Sequence, residues 1–208
     1  AKIEAGRIEV TPEPMIMRDV CGALIGLMTP LADRQGIELR MEVPDDLPVI
    51  RTDIKKFQQI MVNLLSNAVK FTGHGRDENT SGETLAVTLR AELIMSQSGP
   101  DDKAERVRVS VIDQGPGIAP EDQVHIFEKF QQLDQSHTKE HKGTGLGLAI
   151  SKELAGILQG EIQLVSDVGR GSMFSVVLPL ELDANVLEET KLEAAFPATL
   201  AGRRTENE

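Results

Sequence analysis

Asn63 and Asn67 stand four positions apart. Downstream of them come Asp113-Gln-Gly115-Pro-Gly117 and then Gly143-Thr144-Gly145-Leu146-Gly147. A helix puts residues four apart on one face, so the two carboxamides can converge on one ligand. Carboxamide oxygen coordinates a hard cation, a carboxylate accepts a hydrogen bond from an adenine amino group, and glycine backbone can approach phosphates closely. In this order the residues can surround a magnesium-bound nucleotide. Each fragment also has an ordinary explanation: paired amides bond neighbouring backbone, and Asp-x-Gly is common in turns. The specific signal is the three fragments in series.

Gly143 to Gly147 precedes an apolar helical stretch, where backbone amides and the helix dipole can hold phosphate oxygens. The run is not a Walker loop, because no Gly-Lys-Ser or Gly-Lys-Thr is present. It follows a polar segment rather than the strand a dinucleotide fold requires. Lys70, three residues beyond Asn67, has two readings, a phosphate contact or a solvated helix-end lysine. Gln59 reads as polar surface.

The elements that must position these groups alternate between helix and strand. A short strand is expected at residues 7–10, with Pro12 and Pro14 leading into a helix that runs to about Arg34 and stops at Gly36. Ile37 to Val43 alternates apolar and polar residues and predicts a strand with one buried face. Asp53 is the expected N-cap of a long helix with Phe57, Ile60, Leu64, Ala68 and Phe71 at spacings of three and four. That helix carries both asparagines. Residues 73–83 form a polar loop, and 85–91 and 107–111 read as neighbouring strands joined by a solvated connection over 96–105. A short helical region is expected at 121–133, a polar loop at 134–142 and a helix at 146–158. A hairpin of 161–165 and 172–180 then turns at 167–171. This predicts an α/β fold, with helices on one face of a mixed sheet.

Composition narrows the class. The 208 residues, 40% of them hydrophobic, are enough for one substantial core with length left for a tail. A formal charge of −11 argues against a nonspecific nucleic-acid binder, which needs clustered Lys and Arg. Cys21 is the single cysteine, so no internal disulfide is possible; it reads as a core residue in a chain suited to a reducing compartment. No apolar run approaches the ~20 residues that span a bilayer, and no signal-peptide pattern is present.

The fragments resemble the boxes of sensor histidine kinases. Asn63-Leu-Leu-Ser-Asn67-Ala-Val-Lys70-Phe-Thr72 is similar to their N box, and Asp113-Gln-Gly-Pro-Gly117-Ile118 to their first glycine box. Ile126-Phe127-Glu-Lys129-Phe130 resembles the F box, Gly143 to Gly147 the second glycine box, and Gly169-Arg-Gly171-Ser172-Met-Phe174 a third glycine segment. The resemblance covers roughly residues 7 to 182, with all boxes in the family's order.

The resemblance implies a two-layer sandwich of Bergerat (GHKL) type with a mobile lid, binding ATP and Mg2+. It implies that Asn67 coordinates the metal, Asn63 assists at the metal and phosphates, and Lys70 contacts phosphate. Asp113 would take the adenine amino group in a base pocket shaped by Gly115, Gly117 and Ile118, with Ser172 supporting it through a water. Gly143, Thr144, Gly145, Leu146, Gly147 and Leu148 would form the lid and approach the phosphates. Lys129 would sit near the γ-phosphate, and Phe127 and Phe130 would anchor the lid by packing. Related water-activating ATPases carry glutamate where this chain has Asn63. An amide is no general base, so hydrolysis would be suppressed and the phosphoryl group kept for transfer.

An acceptor histidine followed by an acidic residue, expected of the whole kinase, is not found. The four histidines precede Gly75, Ile126, Thr138 and Lys142. The expected organisation is therefore a remnant of the acceptor domain's helix at residues 1–6, a catalytic domain at 7–182 and a linker or tail at 183–208. The expected partners are ATP, a histidine-containing dimerisation domain and, through a homodimeric parent, a response regulator. The fragment itself is expected to be cytoplasmic and monomeric. A serine kinase of the anti-sigma type, or a nucleotide-binding module without transfer, would share the same fold.

Overall fold

The computed structural model describes residues 9–74, 85–97, 103–128 and 145–183. In chain order these form β1 (Glu13–Met15), α1 (Met17–Gln35), β2 (Glu38–Glu42), β3 (Ile50–Thr52), α2 (Ile54–His74) and β4 (Ala86–Gln97). There follow β5 (Lys103–Ile112), α3 (Pro120–Gln123), α4 (Gly147–Ile157), β6 (Glu161–Asp167) and β7 (Gly171–Pro179).

Five strands make one mixed sheet in the order β2-β4-β5-β7-β6, with β2 parallel to β4 and the other pairs antiparallel. Alternation along the strands sends Val87, Leu89 and Ala91, Val107, Val109 and Val111, and Phe174, Val176 and Leu178 into the core. Helices α1, α2 and α4 pack together on that face. The opposite face carries Arg90, Arg108 and Gln163, and Ser110 Oγ lies 2.8 Å from Ser175 Oγ across β5 and β7. The expected two-layer sandwich is what forms.

The central helix follows directly from its sequence. Phe57, Ile60, Met61, Leu64, Leu65 and Ala68 recur every three or four positions and are all buried in α2. Asp53 caps it as expected: Oδ1 accepts the Lys56 amide at 3.1 Å, and Oδ2 accepts the Thr11 amide at 3.1 Å and the Lys56 ammonium at 2.7 Å. In α1, Met17, Cys21, Leu24, Met28 and Ala32 form the buried stripe, and the helix stops at Gly36, whose φ of 66° is left-handed. Cys21 is fully buried in the core, and that burial pushes its thiol up to about 12. No described helix is long and apolar enough to cross a membrane.

Three expectations of local structure need correction. Glu9 and Val10, the described part of the expected first strand, are irregular; the strand is Glu13–Met15, antiparallel to an unforeseen β3 at Ile50–Thr52. Three-residue strands have no readable period, and this pair exists because Met15 and Ile50 meet in the core. The connection expected over 96–105 is shorter, since β4 reaches Gln97 and β5 begins at Lys103. There the backbone ladder continues past the buried face, leaving Leu93 and Met95 exposed. The helical region expected at 121–133 is the single turn α3 followed by turns to Phe127; residues 129–133 lie outside the described residues. So do the expected remnant at 1–6, most of the loop at 73–83, the loop at 134–142 and residues 184–208 of the tail.

Candidate functional site

Asp113 follows the last residue of β5, where the strand ends and the glycine loop begins. Its amide donates to Ser172 O of β7 at 2.8 Å. Its Oδ1 accepts the Gly115 amide at 2.8 Å and the Ser172 amide at 3.2 Å. Among the described residues no donor reaches Oδ2, so one carboxylate oxygen is pinned by two backbone amides and the other is not. The residue is 6% exposed. Burial pushes its pKa above the ordinary carboxylate range, and the two amide bonds pull it only part of the way back. A buried acceptor held in this way discriminates strongly for a hydrogen-bond donor.

The loop over 113–118 is stitched to the β6–β7 hairpin. Gly169 N donates to Pro116 O at 2.7 Å, and Gly117 lies against the Asp167 backbone. Gly171, with φ 93°, faces the Asp113 carbonyl so closely that no Cβ fits between them. Ile118, partly buried, donates its amide to Ser166 Oγ at 2.9 Å. Gly115 sits against the Phe71 backbone, which joins this loop to the C-terminal half of α2.

The second part of the site lies where α2 meets α4. Asn63 Nδ2 donates to Ser151 Oγ at 2.9 Å, and its Oδ1 occupies the space a Cβ on Gly147 would need. The N-terminus of α4 thus rests on Asn63, an approach only glycine permits. Asn67 is half-buried one turn further along the same face of α2. Lys70 Nζ lies 5.3 Å from the Phe71 ring centroid, a cation–π contact. Gly145 has φ 66°, Leu146 precedes α4, and Leu148 packs partly buried against the core. Phe127 meets Phe174 of β7 edge-on, with centroids 6.4 Å apart.

The structure therefore joins Asn63 to Gly147 and, separately, Asp113 to Gly115, Gly171 and Ser172, with α2 common to both parts. Lys129, Phe130, Gly143 and Thr144 lie outside the described residues. Among the described residues no three His, Cys, Asp or Glu side chains form a metal cage. Asn63 and Asn67 offer amide oxygens rather than carboxylates, which fits a magnesium ion that takes most of its ligands from phosphates and water. Ser151, Ser166 and Gln123 were not anticipated, since a serine or glutamine within an element carries no mark of its partner.

The profile of the histidine kinase-, DNA gyrase B- and HSP90-like ATPases matches residues 52–182. The autoinducer 2 sensor kinase/phosphatase LuxQ of Vibrio parahaemolyticus is 36% identical over 188 residues, 90% of this chain and 20% of LuxQ. The circadian input-output histidine kinase CikA of Synechococcus elongatus is 33% identical over 199 residues, 95% of this chain and 23% of CikA. The chain thus spans about a fifth of the length of these relatives. Among solved structures, full-length ShkA in complex with AMPPNP superposes with a TM-score of 0.69 at 34% identity, covering 86% of this chain and 33% of ShkA.

Proposed function

Because the chain belongs to the histidine kinase-, DNA gyrase B- and HSP90-like ATPase family, we propose that it is the ATP-binding catalytic domain of a two-component sensor histidine kinase. The observation that carries the nucleotide reading is Asp113: a buried carboxylate with one oxygen held by two amides and the other open to a donor. That arrangement suits the amino group of adenine. The kinase assignment draws on the named relatives and on Asn63, an amide where hydrolysing relatives would need a base.

In this reading Asp113, Gly115, Gly117, Ile118 and Ser172 hold the base. Asn63, Asn67, Lys70, Lys129 and the segment from Gly143 to Leu148 hold the triphosphate end. Asn67 and Asn63 would hold Mg2+, whose charge, when it is bound, offsets that building on the phosphates. An imidazole nitrogen of a histidine on a separate dimerisation domain attacks the γ-phosphorus in line, the bond to the β–γ bridging oxygen breaks, and ADP leaves. The domain's contribution is positioning and electrostatics rather than proton abstraction. The domain is proposed to be cytoplasmic and its parent a homodimer that passes phosphate to a response regulator.

The test is a titration with AMPPNP, with and without magnesium, followed by incubation with ATP and a separately supplied acceptor domain. Magnesium-dependent binding and acid-labile phosphate on the acceptor are expected. Acid-stable phosphate would favour a serine kinase, and absence of binding would remove the nucleotide reading.

A further inference from the structure

Ser166, near the end of β6, is bonded to both walls of the loop around Asp113. Its Oγ accepts the Ile118 amide at 2.9 Å and lies 3.0 Å from Gly171 O and 3.0 Å from Ser172 Oγ. A hydroxyl has one proton and two acceptor positions, so these three partners use the whole capacity of the group. Gln123 closes the same junction, its Nε2 donating to Ile118 O at 2.8 Å and to the Ser166 carbonyl at 2.9 Å. The backbone of Ile118 is thereby held on both its N–H and its C=O.

We propose that Ser166 is a positioning residue for base recognition, its hydroxyl fixing the Ile118 loop and Ser172, the residue whose amide holds Asp113 Oδ1. The inference deepens the adenine-site reading above and rests on it. The linkage is short. Ser172 donates its amide to Asp113 Oδ1 and shares its hydroxyl with Ser166, so β7 presents both groups from one residue. Gly171, another of the three Ser166 partners, abuts the Asp113 carbonyl. Without the Ser166 hydroxyl, Ser172 is free to change rotamer, and the Ile118 amide loses its acceptor. None of these bonds involves Asn63, Asn67 or α4, so the base side changes while the triphosphate side stays as it was.

The test compares adenosine diphosphate with inosine diphosphate, which differ at the 6-position where the base offers a donor or an acceptor. Ser166→Ala is expected to weaken adenosine diphosphate by about tenfold, the scale of one neutral hydrogen bond, and inosine diphosphate by less than about twofold. Ser166→Thr, which keeps Oγ, restores the difference. In a Ser172→Ala background, Ser166→Ala has a smaller effect on the ratio, because one shared contact is already gone. Equal weakening of both nucleotides, or an unchanged ratio, overturns the proposal. If Ser166→Ala does not fold, Ser172→Ala decides alone: it keeps the Ser166 bonds to Ile118 and Gly171, and an unchanged ratio in it is likewise fatal. A wild-type chain that does not distinguish the two nucleotides would sink the adenine reading itself, an outcome separate from failure at Ser166.

Discussion

Replacing Asp113 by Asn and by Ala separates what this carboxylate does for the fold from what it does for a ligand. In Asp113→Asn the carboxamide oxygen still accepts the Gly115 and Ser172 amides, while the open oxygen becomes an NH2 group. That donor would face the donor of an adenine amino group. Loss of a charge-assisted hydrogen bond worth roughly 1.5–3 kcal/mol weakens adenine nucleotides by about tenfold to a hundredfold. Asp113→Ala loses the same contact and also leaves two amides without an acceptor, each costing roughly 1–3 kcal/mol where it is buried. Both variants should therefore bind poorly, and they should differ in stability. The pH dependence has a definite sign. Burial raises the folded-state pKa of Asp113, so ionisation costs stability above that pKa, and the cost is relieved as pH falls towards the unfolded value. The Asn variant has no such ionisation cost and gains on the wild type above the folded pKa. Binding moves the other way, because a protonated Asp113 is a poorer acceptor. Calorimetric titration with AMPPNP and thermal unfolding at several pH values measure both. An Asn variant that binds as tightly as wild type, or is as unstable as the Ala variant, refutes the reasoning.

Gly171→Ala is expected to destabilise by more than the roughly 1–3 kcal/mol of a strained φ, because the new Cβ also meets the Asp113 carbonyl. Chemical denaturation reads this directly. Gly147→Ala, at the first residue of α4, pushes the Asn63 carboxamide away from Ser151. The expected result is a folded domain in which magnesium strengthens nucleotide binding less than in wild type; an unchanged magnesium effect would remove Asn63 from the metal. Asp53→Ala removes a helix cap and the acceptor for the Thr11 amide, at about 1–2 kcal/mol. Burial pushes Asp53 up, but the Lys56 ammonium and the Lys56 and Thr11 amides outweigh it and hold the carboxyl low. Its stabilisation is fully present above the ordinary carboxylate pKa and is lost as pH falls through the lower folded value, so wild type and variant should converge in acid.

Elements long enough to show a period were legible in the sequence. In α2, Phe57 to Ala68 mark a buried stripe, Asp53 marks its start, and the spacing of Asn63 and Asn67 places both on one face before any contact is known. Gly36 marks the end of α1 for a local reason, since its left-handed backbone suits glycine. The loop glycines were legible as places of close approach, and Asp113 as a carboxylate at a strand end. Tertiary structure decided what each of these groups touches. β1 and β3 are too short to carry a pattern and exist only because Met15 and Ile50 share the core. The Asn63–Ser151 bond spans 88 positions and the Ser166–Ile118 bond 48. Hydrogen bonds of that separation depend on how the sheet orders its strands and where α4 settles on α2, whereas helix periodicity and backbone conformation are set within a few residues of the chain.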